Sequence, residues 1–525
     1  MEKDLLIVAG GLVLTCDPAN HAGPFDLLIR NGRISAIAPR GTLARQHADA
    51  RIIDAVDKLI MPGLVNAHFH PESLLLRPLT AGLHFDLWAQ DVSIRTALAQ
   101  LLQPESHDDV RSLTLAGAFA HVKSGTVAVA FFPPSFDGEA LQILGQSAAR
   151  ADLTSVQVLQ TWQQIEQARA GPGSVRGYFL GIGEEQDLTV YNLGTLVRTS
   201  KEMQIPLLAH IGERREDEET VRRNFQKNVG SVLRDIGALQ GETVLIHCNH
   251  LQEQDLELIE GTGGTIVLCA RSAGFKQTGY PLLRLLTAHN IRLAIGSDWV
   301  QTDMLEEIRF LAQLPRLVSG LPAFSPLELV RMATINGAVA LGLGTELGSI
   351  EPGKRADLVF LSLRDLRLPL LAATPSPREI ADYVVTTANA QQISEVMING
   401  EFAYGGGQLT TITEDDVLAG FRATLGKWYA VTPPAEEPAP TPAADGGGAH
   451  QARILPFVAR EPLEAPEEEG FEEGFTVLGP RPGIPKIPQT SPQREQPAAP
   501  EAGGEEKQPE LPRDVRRDFG DDEEN

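Results

Sequence analysis

The feature that most constrains this chain is a rhythm. Short β-branched runs recur through its middle, namely TVAVAFF, IPLLAHI, TVLIHC, GTIVLC and RLAIGSD. Between them lie stretches such as TSVQVLQTWQQIEQARA and EETVRRNFQKNVGSVLRDIGAL, with apolar residues three or four apart. Period-2 and apolar runs argue strands, and a three-to-four spacing argues helices. Their alternation from 61 to 345 predicts a parallel sheet covered by helices, open or closed. Residues 1–60 and the stretch after 346 read instead as strands and turns: DLLIRNGRISAIAP early, ADLVFLSL and SEVMINGEF late. A β-rich layer at both ends predicts one small sandwich built from the two, with 346–430 supplying its second part and a terminal helix.

From Val431 the chain changes character. Residues 431–525 carry 21 acidic against 9 basic side chains and 17 of the 36 prolines, and so half of the formal charge of −24. Such a segment cannot bury enough apolar surface to offset its chain entropy, and it reads as a disordered, acidic, Pro-rich tail. Two apolar islands interrupt it, ILPFV (454–458) and FTVL (475–478). They are either docking peptides for a protein partner or chance. The acidic balance gives no electrostatic footprint for nucleic acid or an anionic membrane surface. No apolar run reaches the roughly 18 residues of a membrane span. The N-terminal MEKDLLIVAGGLVLT lacks the basic flank of a signal peptide and reads as a buried strand. Cys16, Cys248 and Cys269 are too few for a disulfide framework, which fits a reducing, cytoplasmic setting.

The chemistry begins at MPGLVNAHFHPE, where His68 and His70 end an apolar run. Positions i and i+2 of a strand share a face, so both imidazoles reach one point. In IPLLAHIGE, His210 closes a strand and Glu213 follows. In TVLIHCNH, His247 closes a strand and His250 follows; in RLAIGSD, Asp298 takes the same place. Ionisable residues at the carboxyl ends of buried strands are where a β/α barrel builds its site, because the βα-loops converge there. Adjacent strand residues alternate, so Cys248 is expected to face away from His247.

These elements resemble the amidohydrolase superfamily, in the branch of cytosine, guanine and adenosine-analogue deaminases and triazine chlorohydrolases. The resemblance is carried by PGLVNAHFH (62–70), HIGE (210–213), HCNH (247–250), GSD (296–298), ATINGAVALGLGTELGSIEPGKRADLVFL (333–361) and MINGEF (397–402). It implies an α/β fold, a distorted (β/α)8 TIM barrel with the composite β-sandwich. It also implies one divalent metal per chain, zinc ahead of iron, held by His68, His70, His210 and Asp298. The fourth-strand run VRGYFLGIGEE has no lysine to bridge a second ion.

Such a metal makes hydroxide available at neutral pH. Asp298 then doubles as base, Glu213 carries the proton and His247 orients the nucleophile, with His250 as a competitor for that role. Hydrolytic deamination of an aminated heterocycle follows; amide or formimino hydrolysis, dechlorination, and a non-catalytic barrel assembling through its tail are the alternatives. For the substrate, Glu184 in GIGEEQDLTVYN recognises an amino-bearing ring or is a solvated loop glutamate. Arg271 pairs a substrate anion or forms a surface salt bridge, and Trp88, Trp299 and Phe85 line an apolar wall or simply pack. The ligand is a small molecule, and members of the family are often homo-oligomers.

Overall fold

The runs become strands that pair in the order in which they occur. The computed structural model describes residues 5–169, 175–182, 190–239, 241–281, 283–300, 302–364 and 375–431. The predicted tail at 432–525, with both of its apolar islands, lies outside the described residues, as does Glu184. Eight strands form one parallel sheet: Leu64–Phe69, Thr126–Phe131, Thr154–Leu159, Val175–Ile182, Leu207–Ile211, Val244–His247, Thr265–Leu268 and Arg292–Ile295. Its two edges meet beyond the last strand. Phe69 bridges Asp298, the Asp298 amide donates to the His68 carbonyl at 2.9 Å, and the His70 amide donates to the Asp298 carbonyl at 3.1 Å. The sheet is thereby a nearly closed barrel.

Both faces of these strands are apolar, as a sheet buried on both sides requires. Val65, Ala130, Val156, Leu208, Ile246 and Val267 fill the interior with their neighbours. The alternate positions, among them Val129, Ala209, Leu245 and Ile266, pack outward against the surrounding helices.

The chain ends form a ten-stranded sheet rather than two separately bonded layers. Its seam is Lys58–Pro62, parallel to Leu12–Leu14 on one side and antiparallel to Leu358–Ser362 on the other. Residues from both halves, such as Val8, Leu27, Ile60, Phe360 and Met397, share one core, which gives the sheet its sandwich character. The seam strand crosses the boundary expected at residue 60 and leads within two residues into the first barrel strand. The helix Glu414–Val431 docks on the barrel side: Lys427 and Trp428 both bond Asp109 of the helix His107–Lys123, at 2.6 and 3.0 Å. Among the described residues no helix is long and apolar enough to cross a membrane.

Candidate active site

Each expected strand end delivers its side chain to one place, although not always by simple alternation. His210 lies two residues after the inward-facing Leu208 and follows the period. His247 does not, since its neighbour Ile246 already faces inward. Backbone torsions resolve this: His247 and Cys248 take φ of 71° and 57°, in the left-handed region. The strand is thus wrung at its end, His247 turns into the site, and Cys248 joins the outer core. Asp298 is likewise left-handed at 51°. Non-glycine residues held there are strained and persist only where surrounding structure over-determines them. Gly296 is needed for a different reason, because a Cβ there would sit 2.8 Å from the His68 Cβ and 3.0 Å from its backbone nitrogen.

The result is a knot of buried nitrogen and oxygen atoms. The Nε2 atoms of His68 and His210 are 3.0 Å apart, and Asp298 Oδ1 stands 3.5 Å from His68 Nε2 and 3.3 Å from His70 Nε2. One atom each of His68, His210 and His247 lie within 4.8 Å of one another; so do those of His68, His70 and Asp298, and those of Glu213, His247 and Asp298. Asp298 Oδ1 and both ring nitrogens of His247 are buried and have no hydrogen-bond partner among the described residues. Buried polar groups rarely go unsatisfied. A cation among them would satisfy the set, and the donors suit one, with neutral nitrogens and a carboxylate oxygen converging on a point.

The protonation states agree. Burial pushes His68 and His247 down to about 3. Burial, helped by the neighbouring His68 and His247, holds His210 well below its ordinary value. These rings are therefore neutral and offer lone pairs near pH 7. His70 differs: burial pulls it down, but Glu72, 3.0 Å from its Nδ1, more than offsets this and its pKa is raised. Asp298 is pushed up by burial and pulled further down by Lys276, His68 and His247, ending well below the carboxylate range.

A cavity of about 910 Å³ opens onto this knot. His70, His210, Glu213, Trp88 and Trp299 line it, with Phe85 and Phe132. His247 stands behind Glu213, its Nε2 3.4 Å from Glu213 Oε2. His250 is turned aside, its Nε2 bonded to the Thr278 carbonyl at 2.7 Å. Arg271 does not join the lining. Its Nη1 lies 3.7 Å from Oε1 of Glu307, on the helix Met304–Ser319. The helix that carries it, Ala270–Lys276, presents Ser272 and Lys276 to the site.

Four further residues shape the site and were not singled out from the sequence. Ser272 Oγ donates to Asp298 Oδ2 at 2.6 Å, and Lys276 Nζ reaches the same oxygen at 2.8 Å and Glu213 Oε1 at 2.9 Å. Glu72 braces His70. Asn66 ties the first strand to the last: its amide group donates to Ser297 Oγ at 2.7 Å and lies 3.0 Å from His121 Nε2, while its oxygen accepts from the Ser297 amide. The signals were present, in a serine and lysine four apart just past a strand end and a glutamate two residues after His70.

A match to the amidohydrolase family model spans residues 59–403, well over half of the chain, and the chain belongs to that family. It is 29% identical over 401 residues to the 5-methylthioadenosine/S-adenosylhomocysteine deaminase of Syntrophomonas wolfei, over 72% of this chain and 88% of that protein. Among solved structures, the adenosine deaminase of Xanthomonas campestris with bound zinc is similar at a TM-score of 0.72 and 23% identity, over 82% of this chain and 99% of that one. The atrazine chlorohydrolase of Arthrobacter aurescens TC1 complexed with zinc gives 0.70 at 18% identity, over 80% and 100%. These structural likenesses show a shared fold.

Proposed function

We propose that the protein catalyses hydrolytic deamination of an amino-substituted heterocycle, with 6-aminopurine nucleosides as the foremost substrate class. The observation that carries this reading is the meeting of Glu213, His247 and Asp298 within 4.8 Å at the inner end of an aromatic-lined cavity. The names of the relatives, deaminases of adenosine-type compounds, point to the same class.

His68, His70, His210 and Asp298 would hold one divalent ion, and zinc is the metal of both structural relatives described above. Bound there, it would lower the pKa of a water molecule and polarise the electrophilic carbon. The chain's own groups do the rest. Trp88, Trp299 and Phe85 offer flat apolar faces to a ring. Asp298, ionised and fixed, accepts the proton that water loses as its oxygen bonds to the amine-bearing carbon. Glu213 relays that proton to the ring nitrogen and then relays the proton of the newly bonded hydroxyl to the departing amine, so that one C–N bond breaks, one C–O bond forms and ammonia leaves. His247, neutral and adjacent to Glu213, orients the attacking water. Arg271 is given no role in this reading. A cytoplasmic setting fits the three cysteines, all buried and none in a disulfide.

The test is an ammonia-release screen of the full-length, zinc-loaded protein over aminated purines, pyrimidines, pterins and triazines. Ammonia from a 6-aminopurine nucleoside is expected, with Glu213→Gln slower by about 10²–10⁴-fold. Chloride release from a chlorotriazine with no ammonia from any compound would overturn deamination.

A further inference from the structure

Lys276 is 3% exposed and ends the helix Ala270–Lys276. An ammonium so buried is rare unless paired. It has two partners, and both belong to the reacting end of the cavity: Asp298 Oδ2 at 2.8 Å and Glu213 Oε1 at 2.9 Å. The charge also lies 4.7 Å from the centre of the Phe85 ring, whose face attracts a cation. Four residues earlier on the same helical face, Ser272 donates to the same Asp298 oxygen. One oxygen of Asp298 is therefore doubly occupied, while the other has no hydrogen-bond partner among the described residues and faces His68 and His70.

We propose that Lys276 is a positioning residue, tying the Glu213 carboxylate to Asp298 Oδ2 and presenting Asp298 Oδ1 alone to the metal. The proposal rests on the reading of Glu213 and Asp298 given above. A purely structural ion pair would not need to join those two residues, and a fixed positive charge beside Asp298 opposes the binding of a further cation. Lys276 thus trades metal affinity for the aim of two proton-handling groups. Without it, Glu213 loses the contact that fixes its distance from Asp298, and Asp298 Oδ2 is left to Ser272 alone.

Two measurements on the full chain test this, zinc affinity by competition with a chromophoric chelator and steady-state ammonia release. Lys276→Met should bind zinc at least about tenfold more tightly, because a neighbouring unit charge is gone. Its kcat should fall on the order of 10²-fold while KM moves less than about threefold, as expected for a group acting in the transition state. Lys276→Arg keeps the charge and should hold zinc within about threefold of the parent while recovering part of kcat. Unchanged or weaker zinc binding in Lys276→Met, or an unchanged kcat, would overturn the proposal. If Lys276→Met does not fold, Lys276→Arg decides alone: parental zinc affinity supports the proposal, and weakened affinity overturns it. If the parent protein releases ammonia from nothing, the deaminase reading fails while the zinc comparison still stands.

Discussion

The floor and the rim of the cavity are built on different principles. On the floor, His68, His247 and Asp298 are essentially sealed from solvent, and backbone bonds between the first strand and the segment after the last one hold His68 and Asp298. At the rim, the turn around Phe85–Leu87 and the helix Val92–Leu101 put Leu87 and Val92 into solvent at 47% and 73% exposure. Arg214 links that rim to the fifth strand's loop, pairing Asp217 at 2.5 Å and Asp86 at 3.3 Å while lying over the Phe85 ring. The floor has little freedom, because His68 and Asp298 sit where the barrel closes and His247 ends its sixth strand. The rim has charged and apolar groups on loops, which is where a barrel changes substrate without changing chemistry.

The largest effect should come from breaking the floor. His68→Ala combined with Asp298→Asn should leave elemental analysis near zero metal per chain, and turnover should fall well beyond the roughly 10–100-fold that changes behind the ligands cost. Retained metal at parental stoichiometry would mean the floor is not a cation site. The second effect concerns a neighbour of the floor. Glu307 is buried, neither carboxylate oxygen has a hydrogen-bond partner among the described residues, and burial, against the partial pull of Arg271, raises its pKa to about 8. The folded state keeps this proton where the unfolded chain, near 4.5, releases it. Its stabilising contribution is therefore full below about pH 4.5 and is lost as pH rises through about 8. Urea titrations at about pH 5 and about pH 8.5 should show Glu307→Gln flattening that decline by on the order of a few kcal/mol. An identical slope in both proteins would place an ionised carboxylate at Glu307. The smallest effect belongs to the rim: Arg214→Ala should raise KM about tenfold with kcat within about threefold, the pattern of lost uniform binding. A fall in kcat as large as that of Glu213→Gln would erase the distinction between rim and floor.

Much of this site was legible in the residues. An apolar run ending in histidine or aspartate marks the mouth of a barrel, and His68, His70, His210, His247 and Asp298 could all be found that way. What periodicity could not reveal was torsional. His247 and Asp298 reach the site through left-handed backbone that a period-2 pattern cannot anticipate, and Cys248 faces outward because of that twist rather than simple alternation. The aim of Arg271, Ser272 and Lys276 was not legible for another reason. They sit on a helix of seven residues, where one step of register moves a side chain by about 100° and decides which charge enters the cavity. The pairing of the chain ends was foreseen as a layered sandwich, but the strand that joins them crosses the expected domain boundary, since hydrogen bonding between segments 300 residues apart leaves no local mark.

That joining strand, Lys58–Pro62, has its outer neighbour supplied by Leu358–Ser362, residues synthesised long after the barrel strand it feeds. During translation, then, the entry to the His68–His70 strand waits with one hydrogen-bonding edge open until nearly the whole barrel has emerged. Assembly of the catalytic end is in this way made conditional on completion of the opposite end of the chain, and a product that stops at residue 345 lacks the clasp that secures the strand leading to His68 and His70.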